Sequence, residues 1–250
     1  MSSSLLDVII FSLVGGVASL AGGVLLLKFK LKPSVISDYV TPFAAGALLS
    51  AAFLDLLKES AESNLYEQGL YGALGGILLF FFLERFFSWF HHHHPHKEGV
   101  MKDPKINMII IGDSLHNIID GLAIGAAFLI SPNVGIVSAL AVAAHEIPQE
   151  IGDFGLLLSK GMERKKVLLF NLVSASLSTF SAVAIFLIGS SITINTAPLL
   201  GVVAGMFIYI AASDIIPEIH KSNSKKIVNL SSMMLILGVV SVGTLSNLLH

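Results

Sequence analysis

Across 250 residues the chain is 54% hydrophobic and only 13% charged, about half the roughly 25% charge of an ordinary soluble domain, and its mean hydropathy is +0.82. That excludes a soluble globular protein. The net charge of −2 says nothing about nucleic acid, because the few charges sit between apolar blocks, but with no basic patch no nucleic-acid partner is expected. The absence of cysteine excludes disulfides, thiolate metal sites and thiol nucleophiles.

A helix needs about 20 largely apolar residues to cross the hydrocarbon core, and about eight stretches qualify. The first, residues 5–27, has no basic leader and no small-residue cleavage site, so it reads as a retained helix and not a signal peptide. Lys28, Lys30, Lys32 and Pro33 end it. Residues 39–57 and 69–90 follow, with Glu84 beside Arg85 as an expected interfacial ion pair. A polar hinge at about 91–105 carries His91-His92-His93-His94-Pro95-His96, either a metal-capturing tract or a solvated linker. The fourth span is 106–130, closed by Ser131-Pro132-Asn133, and the fifth is 134–159, followed by the basic turn 160–166. Residues 167–213 hold no charge and are too long for one crossing, so the polar stretch 190–198 divides them into spans six and seven. The eighth is 227–249.

Basic residues collect in cytoplasmic loops. With both termini extracytoplasmic, every one of the 15 Lys and Arg except Lys58 falls on the inner side. The expected fold is therefore an all-α integral membrane protein of one transmembrane domain, residues 1–250, lying in a bilayer. Its compactness points to a prokaryotic cytoplasmic (plasma) membrane.

Ionisable groups at membrane depth are costly and mark pathways or coupled sites. They concentrate on two neighbouring spans. On the fourth, Asp113, His116 and Asp120 share one helical face, with Asn117 beside them. On the fifth, His145, Gln149 and Asp153 form one line, and Glu146, Glu150 and Asp153 an adjoining stripe. Imidazole and carboxylate on a common seam suit zinc, iron or manganese, and the lack of thiolate suits an ion that must leave again. Pairing of these groups as interhelical glue is the plainer alternative. Pro148 removes a backbone donor one turn after His145, so a kink is expected there.

These two spans resemble the ZIP (Zrt-, Irt-like) family of metal transporters. The fourth matches its H-N-x-x-D-G-x-A-I-G pattern as His116-Asn117-Ile118-Ile119-Asp120-Gly121-Leu122-Ala123-Ile124-Gly125. The fifth matches H-E-x-P-H-E-x-G-D-F as His145-Glu146-Ile147-Pro148-Gln149-Glu150-Ile151-Gly152-Asp153-Phe154. The resemblance implies a ZIP-like bundle that carries divalent metal, zinc first and also iron, manganese or cadmium, toward the cytoplasm. It implies no enzyme activity and no resident cofactor, and it is compatible with a homodimer. His116, Asp120, His145 and Gln149 would ligate one ion, and Asn117, Asp120 and Glu146 would reach a second. Gln149 departs from the family, which commonly has His or a carboxylate there. The resemblance further implies that helices one, four, five and six move as a unit.

Other polar groups leave alternatives open. Asp55, with Glu59 and Glu62, is either an outer-mouth carboxylate or part of a solvated rim. Asp214, Glu218 and His220 look like the family's exit-side residues. Asn171 either lines the pathway or bonds across helices. Gly15-Gly16, Gly22-Gly23 and Gly75-Gly76 are expected to permit close helix contact. His145-Glu146 also resembles the start of an H-E-x-x-H metalloprotease motif, which makes an intramembrane zinc hydrolase the rival function. A membrane metal sensor is the second rival.

Overall fold

The computed structural model describes residues 3–21, 24, 39–62, 66–90, 104–159, 161–191, 196–217 and 225–249. The His91–His96 tract, Lys28, Lys30, Lys32, Glu218, His220 and the Gly22-Gly23 pair lie outside them. Among the described residues the chain is helical throughout, with eight helices in the expected order. α1 is Leu5–Gly15. α2 starts as Thr41–Ser50, widens into a π-helical stretch at Ala51–Leu56 and ends as Leu57–Glu62. α3 is Tyr66–Phe90, α4 Pro104–Ile130, α5 Pro132–Ser159 and α6 Arg164–Ser190. α7 is Thr196–Tyr209, continuing through a second π-helical stretch at Ile210–Ile215, and α8 is Lys225–Leu249.

Local chemistry sets these boundaries. Ser4 caps α1 by a reciprocal bond: its hydroxyl accepts from the Asp7 amide at 3.2 Å, and the Asp7 carboxylate accepts from the Ser4 amide at 2.9 Å. α4 and α5 begin two residues earlier than apolarity predicts, at Pro104 and Pro132. Proline is pre-organised for a first turn, where its missing N–H costs nothing. Ser131 completes the α5 start by accepting from the Val134 amide at 3.2 Å. α5 stops at Gly161, whose φ of 83° few other residues adopt. Gly161 N–H reaches the Leu158 carbonyl at 3.0 Å and Met162 N–H that of Leu157 at 3.1 Å, the Schellman pattern.

Among the described residues five segments are long and apolar enough to cross a bilayer: Thr41–Ala61, Tyr66–Arg85, Ile109–Ile130, Arg164–Ser190 and Val228–Leu249. Leu5–Gly15 and Ala197–Ser213 are shorter apolar helices. α5 spans 28 residues but carries too many ionisable groups to count by apolarity. It is sheltered by its neighbours, with Val134, Val137, Ala141, Val142, Phe154 and Leu157 all buried. The lipid face is supplied elsewhere, for example by Tyr71, Phe82, Phe180 and Met233, each more than 60% exposed. This is the helix set of a multi-pass membrane protein.

The helices fall into two groups. α1, α4, α5 and α6 pack on one another, and α2, α3, α7 and α8 pack on one another. The groups meet along a seam where α2 and α8 touch α5, and α7 touches α4. Within the groups, helices approach until glycine meets backbone. A Cβ at Gly46 would strike the Leu235 carbonyl of α8, and one at Gly238 the Phe43 carbonyl of α2. Gly72 of α3 abuts the Pro198 carbonyl and Gly121 of α4 that of Ser178. Of the expected contact glycines, Gly15, Gly16 and Gly76 do abut neighbours, whereas Gly75 faces open space.

Candidate metal centre

α4 and α5 lie side by side in the same group, so their polar faces meet inside it. His116 and Asp120 are one turn apart on α4, and His145 and Glu146 are consecutive on α5. One ligand atom from each of these four lies within 4.8 Å of all the others. His145 Nε2 stands 3.0 Å from Asp120 Oδ2 and 3.2 Å from His116 Nε2. Glu146 Oε1 is 3.6 Å from His116 Nε2 and 3.8 Å from His145 Nε2, and His116 Nε2 is 3.7 Å from Asp120 Oδ2. Donors held about 2.0–2.1 Å from one tetrahedral zinc would sit about 3.3 Å apart, the middle of this range.

The surroundings sharpen the case. The Asp120, His145 and Glu146 side chains are at most 1% exposed and that of His116 is 14% exposed. Neither carboxylate oxygen of Asp120 or Glu146 accepts an aligned hydrogen bond. Buried polar groups are ordinarily hydrogen-bonded, and four such oxygens in one place are the environment a cation would satisfy. The His145 ring is aimed from behind: its Nδ1 lies 3.3 Å from the Ala141 carbonyl. Donation there leaves the Nε2 lone pair facing the cluster.

The other expected ligands are placed differently. Asn117 is fully buried, but its Nδ2 donates to Asp113 Oδ1 at 3.0 Å and to the Asp113 carbonyl at 3.2 Å. That amide also reaches Ser174 Oγ on α6 at 3.4 Å. Asn117 Oδ1 has no partner, so the face left for an ion is its carbonyl oxygen. Asp113 is thus engaged one turn from the cluster. Glu150 is buried with both oxygens unpartnered, while Gln149 and Asp153 are half-buried. Glu146, which the resemblance implied for a second ion, joins His116, Asp120 and His145 in the close group.

Pro148 sits inside a continuous α5; its ring removes the donor that would reach the Ala144 carbonyl. Asp55 is not a rim residue. It is 1% exposed within the π-helical stretch of α2 and accepts from Ser246 of α8 at 2.8 Å. Asp214 occurs in the matching stretch of α7. Asn171 is buried with its amide nitrogen unpartnered. Glu84 forms no ion pair with Arg85 and instead accepts from the Tyr209 hydroxyl at 2.5 Å.

Comparison with known proteins reaches the same helices. The family model described as ZIP Zinc transporter matches residues 104–246. The zinc transporter ZIP10 of Danio rerio is 41% identical over 119 residues, covering 48% of this chain and 14% of that protein. Human zinc transporter ZIP4 is 42% identical over 114 residues, 46% of this chain and 18% of its own length. The Drosophila melanogaster zinc transporter foi is 40% identical over 136 residues, covering 53% and 19% respectively. This chain spans less than a fifth of these relatives. They are animal proteins and lend nothing to a prokaryotic location. All three are named transporters, which leaves the hydrolase alternative without support.

Proposed function

The chain belongs to the ZIP family of zinc transporters, and from that premise we propose that it carries divalent transition-metal ions, zinc foremost, across its membrane toward the cytoplasm. The ion would be held by His116, Asp120, His145 and Glu146 in a single transmembrane domain. One observation carries this: four metal-competent donors from two helices converge within 4.8 Å at membrane depth, two of them carboxylates with no aligned hydrogen bond. Two carboxylates and two neutral imidazoles around a divalent cation sum to zero charge, the one state in which burial is tolerable. Gln149 and the Asn117 carbonyl would lie at the margin of the ion's path, with Asp113, Glu150 and Asp153 as further acidic groups along it.

Flux in proteoliposomes tests the function. Radiolabelled zinc should enter saturably and be competed by cadmium more than by manganese. Saturable binding without flux would favour a sensor, and peptide cleavage by the detergent-solubilised protein would favour a hydrolase.

Orientation follows from the loop charges, which put the N-terminus outside and the 91–105 loop inside. Because the chain lacks cysteine, single cysteines at Ser3 and Pro95 report this directly. An impermeant thiol reagent on intact cells should label the first and spare the second; labelling of both would overturn the eight-span arrangement.

A further inference from the structure

The two cluster histidines are aimed in different ways. His145 has its Nδ1 on a backbone carbonyl, the arrangement that metal-binding imidazoles almost always show. His116 has no such anchor among the described residues; beyond the cluster it meets an aromatic ring. Phe80 of α3, 7% exposed, stands 5.9 Å from the His116 imidazole with the rings at 83°, an edge-to-face contact. Phe80 is itself backed by Tyr209 of α7, at 5.5 Å and 36°. The Tyr209 hydroxyl donates to Glu84, one turn beyond Phe80 on α3. The ring is therefore fixed from behind by two helices, neither of which contributes a residue to the cluster.

We propose that Phe80 is a positioning residue for His116: its ring holds the imidazole with Nε2 turned into the cluster, and it does so from the other helix group. This rests on the proposed metal site and says what sets that site's strength. His145, Asp120 and Glu146 travel with α4 and α5, whereas Phe80 belongs to α3. Any displacement between the groups takes the ring away from His116 and frees the imidazole to turn. Ion affinity then depends on how the two groups stand, and release needs no change in the other three ligands.

The test is a double-mutant cycle on zinc affinity, read by chelator competition on purified protein, with the visible spectrum of bound cobalt(II) as a coordination signature. Edge-to-face aromatic pairs predict a loss of about three- to ten-fold for Phe80→Leu. The four-coordinate cobalt bands should weaken in parallel. Phe80→Tyr keeps the ring and should bind within about two-fold of the parent. In a His116→Ala background, Phe80→Leu should change nothing further, because its only route to the ion is gone. Equal losses in both backgrounds, or unchanged affinity with an unchanged cobalt spectrum, would overturn the proposal while leaving the metal site intact. A parent protein that binds no zinc or cobalt would instead overturn the site itself, and this inference with it.

Discussion

Alanine at His116, Asp120, His145 or Glu146 is expected to reduce saturable zinc flux to the background of empty liposomes. Each substitution leaves a partly dehydrated cation one donor short. At Asp120 and Glu146 it also removes half the neutralising charge. Breaking a buried charge pair by deleting one partner costs about 3–5 kcal/mol, or at least about 100-fold in affinity. Asp120→Asn and Glu146→Gln should therefore fail nearly as badly as alanine, although they preserve shape. Glu163→Ala is the matched control. Glu163 is 73% exposed and pairs with Lys166 at 3.9 Å, a surface contact worth at most about 1 kcal/mol, so flux should not change. Near-parental flux in all four cluster variants, with the protein folded, would remove these residues from the pathway.

The second large effect is expected on selectivity, at Gln149. Its amide offers a hard neutral oxygen one turn past His145, next to Pro148 and near three acidic side chains. Imidazole favours ions later in the Irving–Williams order. Gln149→His should thus shift competition toward zinc and cadmium over manganese by about five-fold, the equivalent of about 1 kcal/mol. Gln149→Glu adds negative charge beside Glu146, Glu150 and Asp153; it should promote occupancy by a second ion and slow release. Identical selectivity in the parent and both variants would mean that this side chain does not face the ion.

Much of this was legible in the residue order, for identifiable reasons. Helix number and order followed from apolar length and from where the lysines and arginines fall, because lipid enforces both. His116, Asp120, His145 and Glu146 stood out because ionisable groups are so costly in such spans, and helical spacing placed His116 and Asp120 on one face and His145 and Glu146 on adjoining stripes. What was not legible depends on tertiary contact. Nothing in Ala51–Leu56 or Ile210–Ile215 signals a wide turn, yet Leu57 N–H bonds the Ala52 carbonyl and Ile216 N–H that of Ala211, five residues back. Asp55 read as either an outer-mouth or a rim carboxylate because its partner, Ser246, is 191 positions away. Phe80 was invisible for the same reason. In a span full of phenylalanine, only packing tells which one leans on a histidine.

The glycine contacts have a mechanical meaning. Where a Cβ has no room against a neighbouring carbonyl, as between Gly46 and Leu235 or Gly72 and Pro198, sliding by one residue would drive a side chain into rigid backbone. Such helix pairs are keyed in register and stiff to shear. Every such approach among the described glycines joins helices of the same group. Across the seam no described glycine makes such an approach, so that lock on register is missing there. The plane that passes between His116 and Phe80 is therefore the one that no described glycine keys in register.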